Sequence, residues 1–131
     1  MYLLDTDICI ELLRSNSRVV SNIEKLPEDT KVYTSIINAS ELLYGAYLSD
    51  KKEQRIVEVK NFLSDIEVLG IDLRSAEIYG ELKSVLKQKG NLIADNDLFI
   101  ASVAKRNELT LITHNIKHFE KISGLKIEDW M

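Results

Sequence analysis

Short runs of apolar, β-branched residues alternate along this chain with longer segments of helical periodicity, and that alternation restricts the fold more than any other feature. Met1–Asp5 (MYLLD), Lys31–Ser35 (KVYTS), Glu67–Asp72 (EVLGID) and Leu109–Thr113 (LTLIT) read as strands, with Leu125–Glu128 as a weaker fifth. Most lack polar alternation, as strands buried on both faces of a parallel sheet do. Helices are expected at Ile8–Arg14, Arg18–Leu26, Ile36–Leu48, Glu53–Ile66, Arg74–Lys87, Asp97–Arg106 and Ile116–Ile122. Strands alternating with helices imply right-handed crossovers. The expected fold class is α/β: a mainly parallel central sheet of four to five short strands flanked by helices. With no repeat and no linker, residues 1–131 are expected to form a single domain.

Composition removes several classes of function. A chain that is 45% hydrophobic and 29% charged, with 5 Gly and 1 Pro, is neither disordered nor collagenous. Its single cysteine, Cys9, excludes a disulfide framework and a Cys-based zinc site. Asp5, Asp7 and Glu11 interrupt the N-terminal apolar stretch, so neither a membrane span nor a secretory signal is expected there. A cytoplasmic protein with no membrane partner is the expectation. The net charge of −4 argues against a protein that coats nucleic acid without regard to sequence. It leaves room for an enzyme that meets nucleic acid locally. From Leu98 to Lys126, Lys105, Arg106, Lys117, Lys121 and Lys126 face only Glu108 and Glu120.

Ligands of open α/β sheets bind just beyond the carboxyl ends of the strands. Asp5 ends the first strand, Glu41 lies about one turn into the helix after the second, Asp97 opens its helix, and Asn115 follows the strand Leu109–Thr113. Asp5, Asp97 and Asn115 also suit helix N-caps, so each has a purely structural alternative. Glu41 has none: a cap needs no Glu there, its helical neighbours Ile37, Leu42 and Ala46 are apolar, and no Arg or Lys stands four residues away. If the acids converge, two carboxylates ~5 Å apart at an effective dielectric of ~20 repel by roughly 3 kcal/mol. A raised pKa or a hard divalent cation relieves that repulsion, and oxygen donors suit Mg²⁺ or Mn²⁺. Asp95 and Asp97 point about 200° apart on a helix, so capping is assigned to Asp95 and the site to Asp97. The small Ala101, one turn on, lets that helix approach the sheet. Asp7 is expected to cap the helix Ile8–Arg14 or to add charge at the rim.

Four segments of the chain, taken together, resemble the PIN domain, and more closely the VapC-type toxins of bacterial toxin–antitoxin pairs. They are Tyr2–Ile8 (YLLDTDI), Ser35–Ala46 (SIINASELLYGA), Ile93–Ser102 (IADNDLFIAS) and Leu111–Trp130 (LITHNIKHFEKISGLKIEDW). The resemblance implies a metal-dependent endoribonuclease, with catalytic positions Asp5, Glu41, Asp97 and Asn115. Asp5 and Asp97 would be the principal ligands of Mg²⁺ or Mn²⁺. Glu41 would bind metal through water or orient the attacking water. Thr6, Thr113 and Asn38 would support these ligands from behind. Two departures stand out: Asn115 where many members have Asp, and Asn38 where many have Thr. The resemblance further implies an RNA substrate such as a transfer RNA or ribosomal loop, a homodimer, and a cognate antitoxin. The antitoxin's tail would lie in an apolar groove between the helices Ile8–Leu13 and Glu53–Ile66 and place an Arg or Lys among the acids.

Other residues leave choices open. Lys117, Lys121 and His114 could touch RNA, although a solvated helix face explains the lysines, and His114 and His118 also suit surface or structural roles. Leu3–Asp7 (LLDTD) imitates the Asp-x-Asp of a haloacid-dehalogenase-like phosphotransferase using Asp5 and Asp7, although Glu41 would then have no task. A catalytically inactive PIN-like module that only binds a partner is the other alternative, favoured by Asn115 alone.

Overall fold

The computed structural model describes residues 1–131. In chain order the elements are β1 (Tyr2–Leu4), α1 (Thr6–Leu13), α2 (Ser17–Glu24), β2 (Val32–Ser35), α3 (Ile36–Leu48), α4 (Lys52–Ser64), β3 (Glu67–Leu69), α5 (Leu73–Gln88), α6 (Asp95–Arg106), β4 (Thr110–Ile112), α7 (Ile116–Phe119) and β5 (Ile127–Glu128). All five strands pair in parallel, in the order β3-β2-β1-β4-β5.

Successive strand residues point to opposite faces, and the chain uses this to build two cores. Leu3 and Leu111 enter one core with Leu98, Ala101, Ala104 and Phe119. Their neighbours Leu4 and Ile112 enter the other with Ile8, Cys9, Val19, Leu42 and Val59. The sheet is therefore covered on both sides, which is why its central strands are uniformly apolar. Small side chains on α6 let that helix lie close: Ala101, Ser102 and Ala104 are fully buried.

The expected elements are all present, with shifted ends. Helix α1 starts at Thr6, two residues earlier than expected, because Asp5 rather than Asp7 is its cap. Strand β3 stops at Leu69, since Asp72 accepts from Ser75 N at 2.8 Å and caps α5 instead of extending the strand. Helix α7 is a single turn, ending at Phe119 rather than Ile122. The capping role expected for Asp95 is overturned. The N-cap of α6 is Ala94, without a side-chain bond, and Asp95 lies within the first turn. Its carboxylate accepts from Tyr79 Oη and Lys83 Nζ, both at 2.9 Å, and so ties α6 to α5.

The topology places a crevice. From β1 the chain builds outward through β2 to β3, then crosses back and adds β4 and β5 on the other side of β1. The direction of winding reverses between β1 and β4, and the carboxyl ends of these two strands diverge into helices there. A sheet of this kind binds its ligands at such a switch point.

Candidate active site

Asp5 occupies that crevice. It follows β1 directly, is almost fully buried, and uses both carboxylate oxygens. Oδ1 accepts from Thr6 N at 2.9 Å and from Asn38 Nδ2 at 3.0 Å. Oδ2 accepts from Thr113 Oγ1, at the end of β4, at 2.7 Å. The last of these bonds spans the switch point. Asp5 is thus a helix cap and a member of the crevice at once; the two readings open at the sequence level are both realised.

The groups behind Asp5 are oriented by their own partners. Asn38 lies fully buried in the first turn of α3. Its Oδ1 accepts from Ser35 Oγ at 2.6 Å and Ser35 N at 3.3 Å, which fixes Nδ2 as the donor toward the crevice. Nδ2 also donates to Thr6 Oγ1 at 2.9 Å, and that hydroxyl donates onward to Glu41 Oε1 at 2.6 Å. Thr113 Oγ1, in turn, accepts from Asn115 N at 2.9 Å. Every hydroxyl proton in the chain Ser35–Asn38–Thr6–Glu41, and that of Thr113, is directed so that the carboxylates only accept. Bonds of 2.6–2.7 Å from hydroxyl to carboxylate are in the charge-assisted range. Asn38 therefore supports the crevice.

Asp97 reaches the same crevice from the first turn of α6, and its Oδ2 lies 3.0 Å from His118 Nδ1. Asn115 Nδ2 lies 3.1 Å from that same nitrogen. An ionised carboxylate only accepts, so with Nδ1 protonated the bond runs to Asp97 and that nitrogen has no lone pair for the Asn115 amide. His118 is a contact that the sequence reading did not single out for the site. The signal was its spacing: three residues after Asn115, it shares one side of the single turn α7.

Asp5, Thr6, Asp7, Ile10, Glu41, Asp97 and Asn115 line one cleft of about 240 Å³. The four positions expected from sequence are thus brought together from four elements spread over the chain. Burial pushes the Asp5 carboxyl up to about 6, helped by the nearby charges of Asp7 and Asp97 and opposed by the bonds from Thr113 and Thr6. Asp7 is also raised, chiefly by burial, and the bonds from His114 N and Ile8 N work against the rise. Both Asp7 oxygens are taken, by Ile8 N at 2.8 Å and His114 N at 2.9 Å. Asp7 is therefore a rim charge that pins the β4–α7 turn.

The other expected contacts lie outside. Lys117 and Lys121 are exposed and do not line the cleft. The His114 ring is likewise exposed and meets Asp129 Oδ2 at 2.9 Å.

The donor set is all oxygen, hard and anionic, as Mg²⁺ and Mn²⁺ prefer. No group of three or more acidic, histidine or cysteine side chains is placed to hold a metal ion. Mg²⁺ is commonly bound through one or two carboxylates, with water and substrate phosphate completing its shell.

Known proteins similar to this chain identify its family and share its fold. The family model described as "PIN domain" matches residues 2–125. The chain is 39% identical over 131 residues to "Ribonuclease VapC2" of Rickettsia felis, covering 99% of this chain and 98% of that one. It is 32% identical over 129 residues to "tRNA(fMet)-specific endonuclease VapC" of Shigella flexneri, covering 98% and 97%. Among solved structures, it superposes with a TM-score of 0.92 on a chain of VapBC2 from Rickettsia felis, crystallised with a promoter DNA fragment. Identity there is 39%, and the match covers 99% of this chain and 98% of that one.

Proposed function

From the premise that the chain belongs to the PIN-domain family, we propose that it is a divalent-metal-dependent endoribonuclease and the toxin of a toxin–antitoxin pair. The observation that carries this reading is the convergence of Asp5, Glu41, Asp97 and Asn115 on one cleft at the switch point of the sheet. The full-length similarity to ribonucleases supports it.

In this reading Asp5 and Asp97 would hold Mg²⁺ or Mn²⁺, with Asn115 at the edge of the site. When bound, the ion supplies Lewis-acid polarisation of a phosphate oxygen and acidifies a water. Glu41 keeps Oε1 fixed by Thr6 and offers Oε2 to the attacking water, which it orients or deprotonates. Displacement at phosphorus is in line, and the 3′-oxygen leaves. Asn38 and Thr113 hold the Asp5 carboxylate so that little reorganisation accompanies the reaction. His118 fixes the rotamer of Asp97.

The partner chemistry follows from the same cleft. An antitoxin arginine or lysine placed among the acids would neutralise the charge that a cation otherwise neutralises. Half-buried Ile10, Leu12, Leu13, Ile56 and Phe62, at the edge of the core shared by α1 and α4, offer an apolar seat for its tail. A homodimer and a cytoplasmic setting complete the proposal.

The test is expression of the wild type beside Asp97→Asn in a bacterial host, with mapping of cleaved RNA ends. Growth arrest and new RNA ends that need Asp97 are expected. Equal toxicity of both proteins, or no new ends from the wild type, would overturn the ribonuclease reading.

A further inference from the structure

Tyr44 has no task in the fold. The core side of α3 is built from Asn38, Ala39, Leu42 and Ala46, and Tyr44 is 67% exposed on the same helix. Tyr47 and Leu48, three and four residues further along α3, are exposed as well; the position of Tyr44 beside the acids is what sets it apart. Tyr44 lines a second cleft with Ser40, Glu41 and Asn96. That cleft shares Glu41 with the acidic one, and Asn96 is the chain neighbour of Asp97. A flat aromatic surface and a free side-chain amide therefore adjoin the acids.

Resting on the ribonuclease reading, we infer that this second cleft is a nucleobase subsite for an unpaired base next to the cleaved phosphodiester. The base stacks on the Tyr44 ring, and the Asn96 amide, a donor and an acceptor in one group, meets its hydrogen-bonding edge. The chemistry fits. Unpaired bases are held by stacking on aromatic rings, and their edges are read by side-chain hydrogen bonds. Ser40 gives its proton to Ile36 O at 2.8 Å, so it presents only acceptor lone pairs there. A second feature points the same way. Tyr47, one turn beyond Tyr44, carries Lys52 Nζ 5.8 Å from its ring centre, and Lys51 and Lys52 open α4 beside it. Aromatic rings paired with cations are the elements from which single-strand grooves are made. They also supply positive charge to a strand leaving an acidic site.

The experiment begins with the wild-type chain, Mn²⁺ and total bacterial RNA, from which the cut bond is mapped. A stem-loop oligoribonucleotide spanning that bond is then made intact and with an abasic nucleotide at each flanking position in turn. The wild type should lose roughly 10- to 100-fold in kcat/KM on one of the two abasic substrates, the range expected for one stacked base. Tyr44→Ala should lose a similar factor on the intact substrate and nothing further on that abasic one. Tyr44→Phe should retain wild-type behaviour, and Asn96→Ala should flatten the preference among the four bases at that position. Equal sensitivity of wild type and Tyr44→Ala to the abasic nucleotide overturns the subsite while leaving the ribonuclease reading intact. So does a Tyr44→Ala protein that loses activity equally on all substrates and changes its mass in light scattering, for then the cleft is an interface between copies of this chain. A wild type that cuts no RNA removes the ribonuclease reading and the subsite with it.

Discussion

Asp5 ends a strand, caps a helix and faces two other carboxylates, and these roles pull its proton in opposite directions. The bonds from Thr6, Asn38 and Thr113 favour the anion, while burial and the charges of Asp7 and Asp97 disfavour it. The balance leaves the carboxyl at about 6 against an ordinary 3.8. Since folding raises this pKa, the sign is fixed: stability is unaffected by Asp5 below about pH 4 and is lost as pH rises through 6. The loss when ionisation is complete is roughly 3 kcal/mol, at about 1.4 kcal/mol per pH unit. In metal-free buffer Asp5→Asn should therefore melt above the wild type at pH 8, with the gap closing by pH 4. Thermal melts at four pH values decide this, and a mutant that melts well below the wild type at every pH would make Asp5 a structural cap first. Glu41 is a different case, because Oε1 is held by a single short bond from Thr6. Glu41→Gln should lower kcat by at least ten-fold while shifting Mn²⁺ affinity by less. Single-turnover kinetics beside calorimetric titration separate the two effects.

Helix α6 shows how an element positions a site residue. It delivers Asp97 from its first turn, and its buried Ala101, Ser102 and Ala104 set how deeply that turn sits against the sheet. Ala101→Leu adds volume to a packed contact and should cost about 1–3 kcal/mol. Displacing the helix should also weaken Mn²⁺ binding, which an equally destabilising change such as Val59→Ala on the other side of the sheet should leave alone. Titration of both variants below their melting temperatures tests the coupling. The period of α6 and the apolar strands were legible because they depend on local pattern. The assignment of Asp5, Asp7, Asp95 and Asp97 as cap or site was not. All four suit a helix start equally well by propensity. What separates them is tertiary: Lys83 and Tyr79 on α5 draw Asp95 away, and backbone amides of Ile8 and His114 occupy Asp7. Likewise the bond from Asn38 to Asp5 joins residues 33 apart, and no local period reports it.

At the scale of the molecule, the sheet order explains why a chain with acids spread from residue 5 to 115 can gather them at all. Parallel strands bring their carboxyl ends to one edge, and the reversal beside β1 opens that edge for a ligand. The gathering at the carboxyl ends follows from the strand pattern; the strand order and the reversal beside β1 do not, because no local pattern reports which strands pair. The cost of the arrangement is a buried carboxyl among other acids: the Asp5 pKa is raised chiefly by burial, and in smaller part by repulsion from Asp7 and Asp97. A divalent cation removes the repulsion and binds only where the acids are assembled, so it must stabilise the fold. At one hundred times its Kd, Mn²⁺ should add about 2.7 kcal/mol. For a domain of this size that is a rise in Tm of roughly 10 °C. Asp97→Asn should lose most of the rise, whereas Glu77→Gln, which removes an exposed acid on α5 paired with Arg74, should keep it. Scanning calorimetry across an Mn²⁺ series at pH 7.5 gives the answer. A rise that survives Asp97→Asn, or that Glu77→Gln diminishes equally, would mean that the ion responds to the net charge of −4 and not to the cleft.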